Sequence, residues 1–179
     1  MTNKMTITEA LSEVQLIKKK LDASRAEIKQ QLLKPDHVPD PYANNGGLAS
    51  RNVSLAQGIV DLEKRLVTIR SRIAESNIKN TLTVSDRTQS IHDWLTWKRE
   101  VLPGEKSFFT TVIDNTRASL KQAAERPSVY EVDGVKKLVN YTPVVDIPKY
   151  VEEASKLTEI EERLDGQLSL KNATIVIEI

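Results

Sequence analysis

Six apolar residues, Leu55, Ile59, Leu62, Leu66, Ile69 and Ile73, alternate spacings of four and three along one stretch of this chain. On an α-helix that alternation draws one narrow apolar stripe, the a/d seam of a coiled coil, which must be hidden against another helix. The upstream segment supplies one. Ile7, Val14, Leu21 and Ile28 recur every seven residues, joined by Leu11, Ile17 and Leu32. Thr6 or Thr8 can cap the helix they define, and Glu9 suits its first turn. The spacing predicts helices over about 7–33 and 54–77, each about 35–40 Å long at about 1.5 Å per residue. Between them, Pro35, Pro39, Pro41 and the pair Gly46-Gly47 cannot continue a helix. A linker that short folds the helices antiparallel. The expected unit is a hairpin projection over 7–77 with a tip loop over 34–50.

The remainder, 78–179, alternates shorter elements. Thr81–Val84 reads as a strand. A third helix is expected from near Thr88, carrying Ile91, Trp94, Leu95, Val101 and Leu102. Pro103-Gly104 should break or kink it before it resumes to about Glu125, and Pro127 stops it. Asp133-Gly134, flanked by Val129–Val132 and Val135–Tyr141, is the strongest hairpin signal in the chain. Pro148 suits the first turn of a fourth helix, whose stripe is Val151, Ala154, Leu157, Ile160, Leu164 and Leu168. Helices two and four finish alike: Asn80 or Asn172, then threonine and an apolar strand. This predicts left-handed asparagine caps, a weak internal pseudo-symmetry and adjacent exit strands. The fold class is mainly α: a long antiparallel coiled-coil hairpin plus two further helices. A small β element contributes short strands near 81–84, 129–141 and 174–179. One domain, 1–179, is expected.

Four segments, in this order, carry a family resemblance. They are Asp36 to Pro41 after a heptad helix, Ile69 to Thr83 with its Arg72-Ile73, Asn77 and Asn80-Thr81, and Trp94 to Arg99 preceded by Asp86-Arg87-Thr88. The fourth is Tyr141 through Val144-Val145-Asp146 to Leu164-Asp165, Gln167, Asn172 and Thr174. Together they span most of the chain and resemble a bacterial and phage family of helical-hairpin proteins, some of whose members are labelled septicolysin-like. The pattern departs from that family at Pro103-Gly104, where the family helix is continuous. The resemblance implies a fold and self-association, and carries no catalytic signature.

Composition narrows the chemistry. With 26 basic and 25 acidic residues the net charge is +1, which offers nucleic acid no attracting field. Without cysteine there is no thiolate nucleophile or cysteine-based metal site. The start, Met1 to Met5, leads into an amphipathic helix without a stretch of signal length, and no segment reaches the roughly 20 apolar residues that span a bilayer. His37 lies near Asp36 and Asp40 but lacks zinc-ligand spacing. His92 and Asp93 are helix neighbours and face apart. Lys18-Lys19-Lys20 fan out around a helix, and Gly46-Gly47 lacks the lysine of a phosphate loop.

These observations point away from catalysis, cofactors and metals, and towards contact. The primary reading is a structural or assembly protein that self-associates through coiled-coil and strand-edge surfaces with itself and other structural proteins. A phage connector, collar or decoration component is one setting, and the cytoplasm of a bacterial cell the other. A cytoplasmic protein-binding module gripping its partner with the hairpin tip is the second reading; an enzyme of unrecognised type is the third. No nucleic-acid or membrane partner is expected. The contact candidates are Trp94, Trp97, Tyr42 and the alternating Ile175, Ile177 and Ile179, with the last three read as a free apolar strand inviting addition to a neighbouring sheet.

Overall fold

The seam forms. In the computed structural model, which describes residues 4–179, α1 (Ile7–Gln30) and α2 (Gly47–Lys79) pack antiparallel. Thr6 caps α1 in a capping box: its hydroxyl accepts the Glu9 N–H, while the Glu9 carboxylate accepts the Thr6 N–H. Ion pairs across the hairpin set the register. Glu13–Arg65 at 2.8 Å and Glu27–Arg51 at 2.9 Å lie on one flank of the seam, and Arg25–Glu63 at 2.6 Å lies on the other. That register brings Ala10 level with Ile73, Val14 with Ile69, Leu21 with Leu62 and Ile28 with Leu55. The base of the seam is fully dry, with Ile7, Ala10, Val14, Ile17, Leu21, Ile69 and Ile73 buried; Ile59, Leu62 and Leu66 are partly covered towards the tip. Residues 1–3, expected to lead into the first helix, lie outside the described residues.

Several boundaries differ from expectation, each for a local reason. The helix α1 stops at Gln30, so Leu32 and Leu33 stand exposed beyond it. The helix α2 begins at Gly47, seven residues early, because Asp40 caps it: one carboxylate oxygen accepts the Leu48 N–H at 2.9 Å and the other the Tyr42 N–H at 2.8 Å. Gly47 has a φ of +77°, and a Cβ there would meet the Asp40 carboxylate at 3.0 Å. Glycine is therefore required at this position. The tip linker thus covers 31–46 and includes a single 3-10 turn at Ala43–Asn45.

A strand absent from the expectation, β1 (Lys4–Thr6), precedes α1 and pairs antiparallel with the last strand, β6 (Val176–Glu178). The chain divides into two compact units. The hairpin through Asn80 joins residues 168–179, and residues 81–167 form the second unit.

In the second unit, β2 (Thr81–Val84) pairs with β3 (Arg87–Ser90) around a turn at Ser85-Asp86. The strand β3 is polar and carries no alternation, so its sequence reads as helix. A Thr83–Thr88 hydroxyl contact at 2.8 Å bridges the two strands. Ser90 then caps α3 (Ile91–Thr96). Pro103-Gly104 does not break the helix. A π turn over Trp97–Val101, in which the Leu102 N–H reaches back to the Trp97 carbonyl, absorbs the proline, and α4 (Leu102–Glu125) continues with Pro103 in its first turn. The strands β4 (Val129–Val132) and β5 (Val135–Leu138) form the expected hairpin. The helix α5 (Ile147–Thr174) follows, its first turn capped by Asp146, whose carboxylate accepts the Lys149 N–H at 3.2 Å.

The expected pseudo-symmetry is absent. The strands β2 and β6 belong to different sheets. Asn80 is extended, at φ −97° and ψ 137°, and its side-chain amide returns to the Ser76 carbonyl at 2.9 Å. Asn172 lies inside α5.

Ile69→Ala empties a wholly buried seam position and should lower stability by about 3 kcal/mol. Leu16→Ala, on the exposed side of α1, should stay within about 0.5 kcal/mol. Urea unfolding followed by circular dichroism measures both, and equal losses would remove the seam as the source of stability.

Candidate interaction surfaces

The residues singled out by sequence divide between interior and surface. Trp94 is 1% exposed, and its indole N–H donates to the Leu82 carbonyl at 3.1 Å. It is thus a core anchor holding the β2–β3 hairpin to the helix, not a contact residue. Trp97 packs edge-to-face on it, with centroids 5.7 Å apart, and stays half-buried. Tyr42 organises the tip. Its carbonyl accepts the N–H groups of Asn45 and Gly47 at 2.8 and 2.9 Å, and the Arg51 guanidinium lies over its ring at 5.7 Å.

Ile175, Ile177 and Ile179 do share one strand face, but that face turns inward. Ile177 is buried in the hairpin core with Ile175 and Ile179 packed against it, and the Ile7 N–H donates to the Ile175 carbonyl at 3.0 Å. The tail is therefore not a free strand: it closes the base of the hairpin. Its outer edge borders an open groove of about 540 Å³ lined by Arg72, Glu75 and Lys79 of α2 and by Asn80, which follows it. Arg72 is already engaged by Glu75 at 3.0 Å.

What remains outside is a different set. Val53, Val60 and Val67 repeat every seven residues on α2 and are 71%, 42% and 65% exposed. Ile17 is buried within the seam, while Val60, Val67 and Ile78 stay exposed. The valine repeat was legible as a second heptad and was overshadowed by the stronger a/d seam. Beside it, a groove between α1 and α2 is lined by Leu21, Leu66 and Val67 together with Lys18, Asp22, Arg25 and Glu63. In the second unit, Phe108, Phe109 and Tyr150 form an aromatic cluster with centroids 5.5–6.3 Å apart. Lys98 and Lys106 clamp Glu161 and Asp165 of α5. Neither feature has a short-range sequence signal, because each joins residues more than forty positions apart.

The ionisable groups whose affinity for protons is shifted are caps and surface ion pairs. Glu9 is lowered by the Thr6 N–H, and Glu152 and Lys156 shift in opposite directions through their pair at 2.7 Å. Asp40 is held below the usual carboxylate range, first by the Leu48 N–H and then by that of Tyr42. His37 and His92 are exposed. Among the described residues no three carboxylates or histidines converge as metal ligands, and no helix is long and apolar enough to cross a membrane. No protein-family model, curated protein or solved structure matches the chain, so the helical-hairpin resemblance rests on its four sequence segments.

Because the folded Asp40 pKa is depressed, its contribution to tip order is full above the unfolded value of about 3.9 and is lost as pH falls through the folded value. The Tyr42 and Leu48 amide resonances should therefore hold their native positions at neutral pH and move together only on acidification below about pH 4. Asp40→Asn should show the displaced positions already at neutral pH. Native positions retained in that variant would remove Asp40 as the organiser of the tip.

Proposed function

We propose that this protein works as a structural or assembly component whose partner is a second copy of itself, docked along the outer face of α2. The observation that carries the reading is the exposed repeat of Val53, Val60 and Val67. A heptad stripe matches the surface of another helix and little else, and the chain's own α2 presents such a stripe. A two-fold contact centred on Val60 would set Val53 of each copy against Val67 of the other, an isologous arrangement that closes on itself. The adjoining groove supports this, since its lining carries both signs of charge and can complement itself. On this reading binding, not chemistry, is the protein's activity.

A second reading keeps a specific observation. The tip is ordered by Asp40 while Leu32, Leu33 and Val38 remain exposed around it, which suits a module gripping a different protein. The two readings separate by experiment. Light scattering on the purified chain should give a mass above that of one copy. Val60→Lys combined with Val67→Lys should lower the mass by removing the α2 contact while circular dichroism keeps its helical signal. Deleting 35–41 should leave the mass unchanged. A wild-type chain that stays monomeric at high concentration, and loses a partner on tip deletion, would replace self-assembly with the module.

A further inference from the structure

The β4–β5 hairpin is the element least provided for by its own chain. All eight of its strand residues are exposed, and Val129, Tyr130, Val132, Val135 and Leu138 lie between 42% and 61% exposed. The turn is well built: Asp133 and Gly134 have φ of 54° and 77°, as a two-residue turn matching the strand twist requires. Yet a two-stranded hairpin alone is marginal in water and needs a further strand or a helix against it. Five uncovered apolar side chains on eight positions mark a surface meant to be met.

The backbone shows where. The Val139 N–H donates to the Ser128 carbonyl at 2.8 Å, so the hydrogen-bonded pairs in this antiparallel ladder are Ser128–Val139, Tyr130–Lys137 and Val132–Val135. The intervening residues turn their N–H and C=O groups outward: Val129 and Glu131 on the β4 edge, Lys136 and Leu138 on the β5 edge. The two edges also differ in charge. The strand β4 carries one acid, Glu131, and β5 carries two bases, Lys136 and Lys137.

We infer that the hairpin of one chain adds to the hairpin of a second copy, with β5 of one pairing antiparallel to β4 of the next. This contact deepens the self-association proposed above and rests on it. Charge decides between the pairings that the outward groups allow. Joining β5 to β5 sets Lys137 directly opposite Lys137, which is repulsive. Joining β4 to β4 sets each Glu131 opposite Val129, with no cation in reach across the strand. Joining β5 to β4 sets Lys136 opposite Glu131, Leu138 opposite Val129 and Val135 opposite Val132, so every cross-strand pair inside the hairpin is repeated between copies. Two different edges meet in this contact, so it is heterologous and propagates into a ring or a filament.

The absence of cysteine makes the test clean. In this pairing Tyr130 of one copy and Lys137 of the next form a non-hydrogen-bonded pair, with Cα atoms about 4.5 Å apart, within reach of a disulfide. Tyr130→Cys and Lys137→Cys proteins, prepared separately and mixed under mild oxidation, should yield a disulfide dimer that neither forms alone. Glu131→Lys added to the Tyr130→Cys chain should abolish it. The double change Glu131→Lys with Lys136→Glu, placed in both chains, should restore it, since that swap also keeps the pair within each hairpin. A dimer from Tyr130→Cys alone would establish the two-fold β4 contact instead, and no dimer in any mixture would remove the hairpin as an assembly surface. Repeating the mixture with Val60→Lys and Val67→Lys present separates the two contacts. The crosslink persists if only the α2 contact has failed, and the mass of the unmodified chain stays above one copy if only the hairpin contact has failed.

Discussion

Two helices laid side by side can hide only one stripe of each, and this limit governs the molecule. The stripes on α1 and α2 meet in a dry seam from Ile7 to Leu21 on one side and from Leu66 to Ile73 on the other, with Leu66 only partly covered. Burying a core aliphatic residue is worth about 1.5–3 kcal/mol, while each half-exposed ion pair on the flanks contributes about 0–1 kcal/mol. The seam therefore supplies the stability, and Glu13–Arg65, Arg25–Glu63 and Glu27–Arg51 choose the register. Towards the tip the seam turns polar. Asn52 and Gln31 face one another there, joined by an amide N–H to carbonyl bond at 3.3 Å, and their side-chain oxygens are buried without partners. Such a layer is poor in energy and strong in selecting alignment. It also marks where the hairpin stops being a coiled coil and the loop takes over.

The same limit explains the tail. With α1 and α2 facing each other, the base of the seam would stay open to water at Ile7 and Ile73. The β1–β6 pair closes it by inserting Ile177, 6% exposed, under the hairpin. A strand of alternating isoleucines has the same appearance in sequence whether it closes its own chain or reaches for another. Only a partner strand decides, and β1 is three residues long, too short to leave a periodic signal.

Legibility followed the range of the interaction. The seam stripes, a threonine cap at Thr6 or Thr8, the Asp133-Gly134 turn and the start of α5 depend on residues within one or two turns of each other, and these were readable; the choice of Thr6 was not. The early start of α2 depends on Asp40 reaching across eight positions to Leu48. The uninterrupted passage through Pro103 depends on a widened turn that sequence propensity does not encode. Trp94 illustrates the same point for function. Two tryptophans three residues apart look alike in sequence, yet one is sealed beneath Leu82 and the other is half in water. Exposure, which separates a contact residue from a core residue, is a property of the packed chain.

What is left uncovered after these closures is not scattered. Apolar side chains remain at the tip, along the valine repeat of α2 and over both faces of the β4–β5 hairpin. Single exposed leucines are normal on any protein and call for no explanation. A seven-residue repeat and a two-sided apolar hairpin are different, because each already has the period of a secondary-structure partner: a helix for the first, a strand for the second. The hairpin adds polarity, with its acid on one edge and its bases on the other. On the proposed pairing, a surface whose two edges differ in sign would prefer its opposite edge to itself, and that preference would turn pairing into propagation. Under that proposal Glu131 and Lys136 would set the geometry of association as well as its occurrence, giving an open or ring-closed series of like chains.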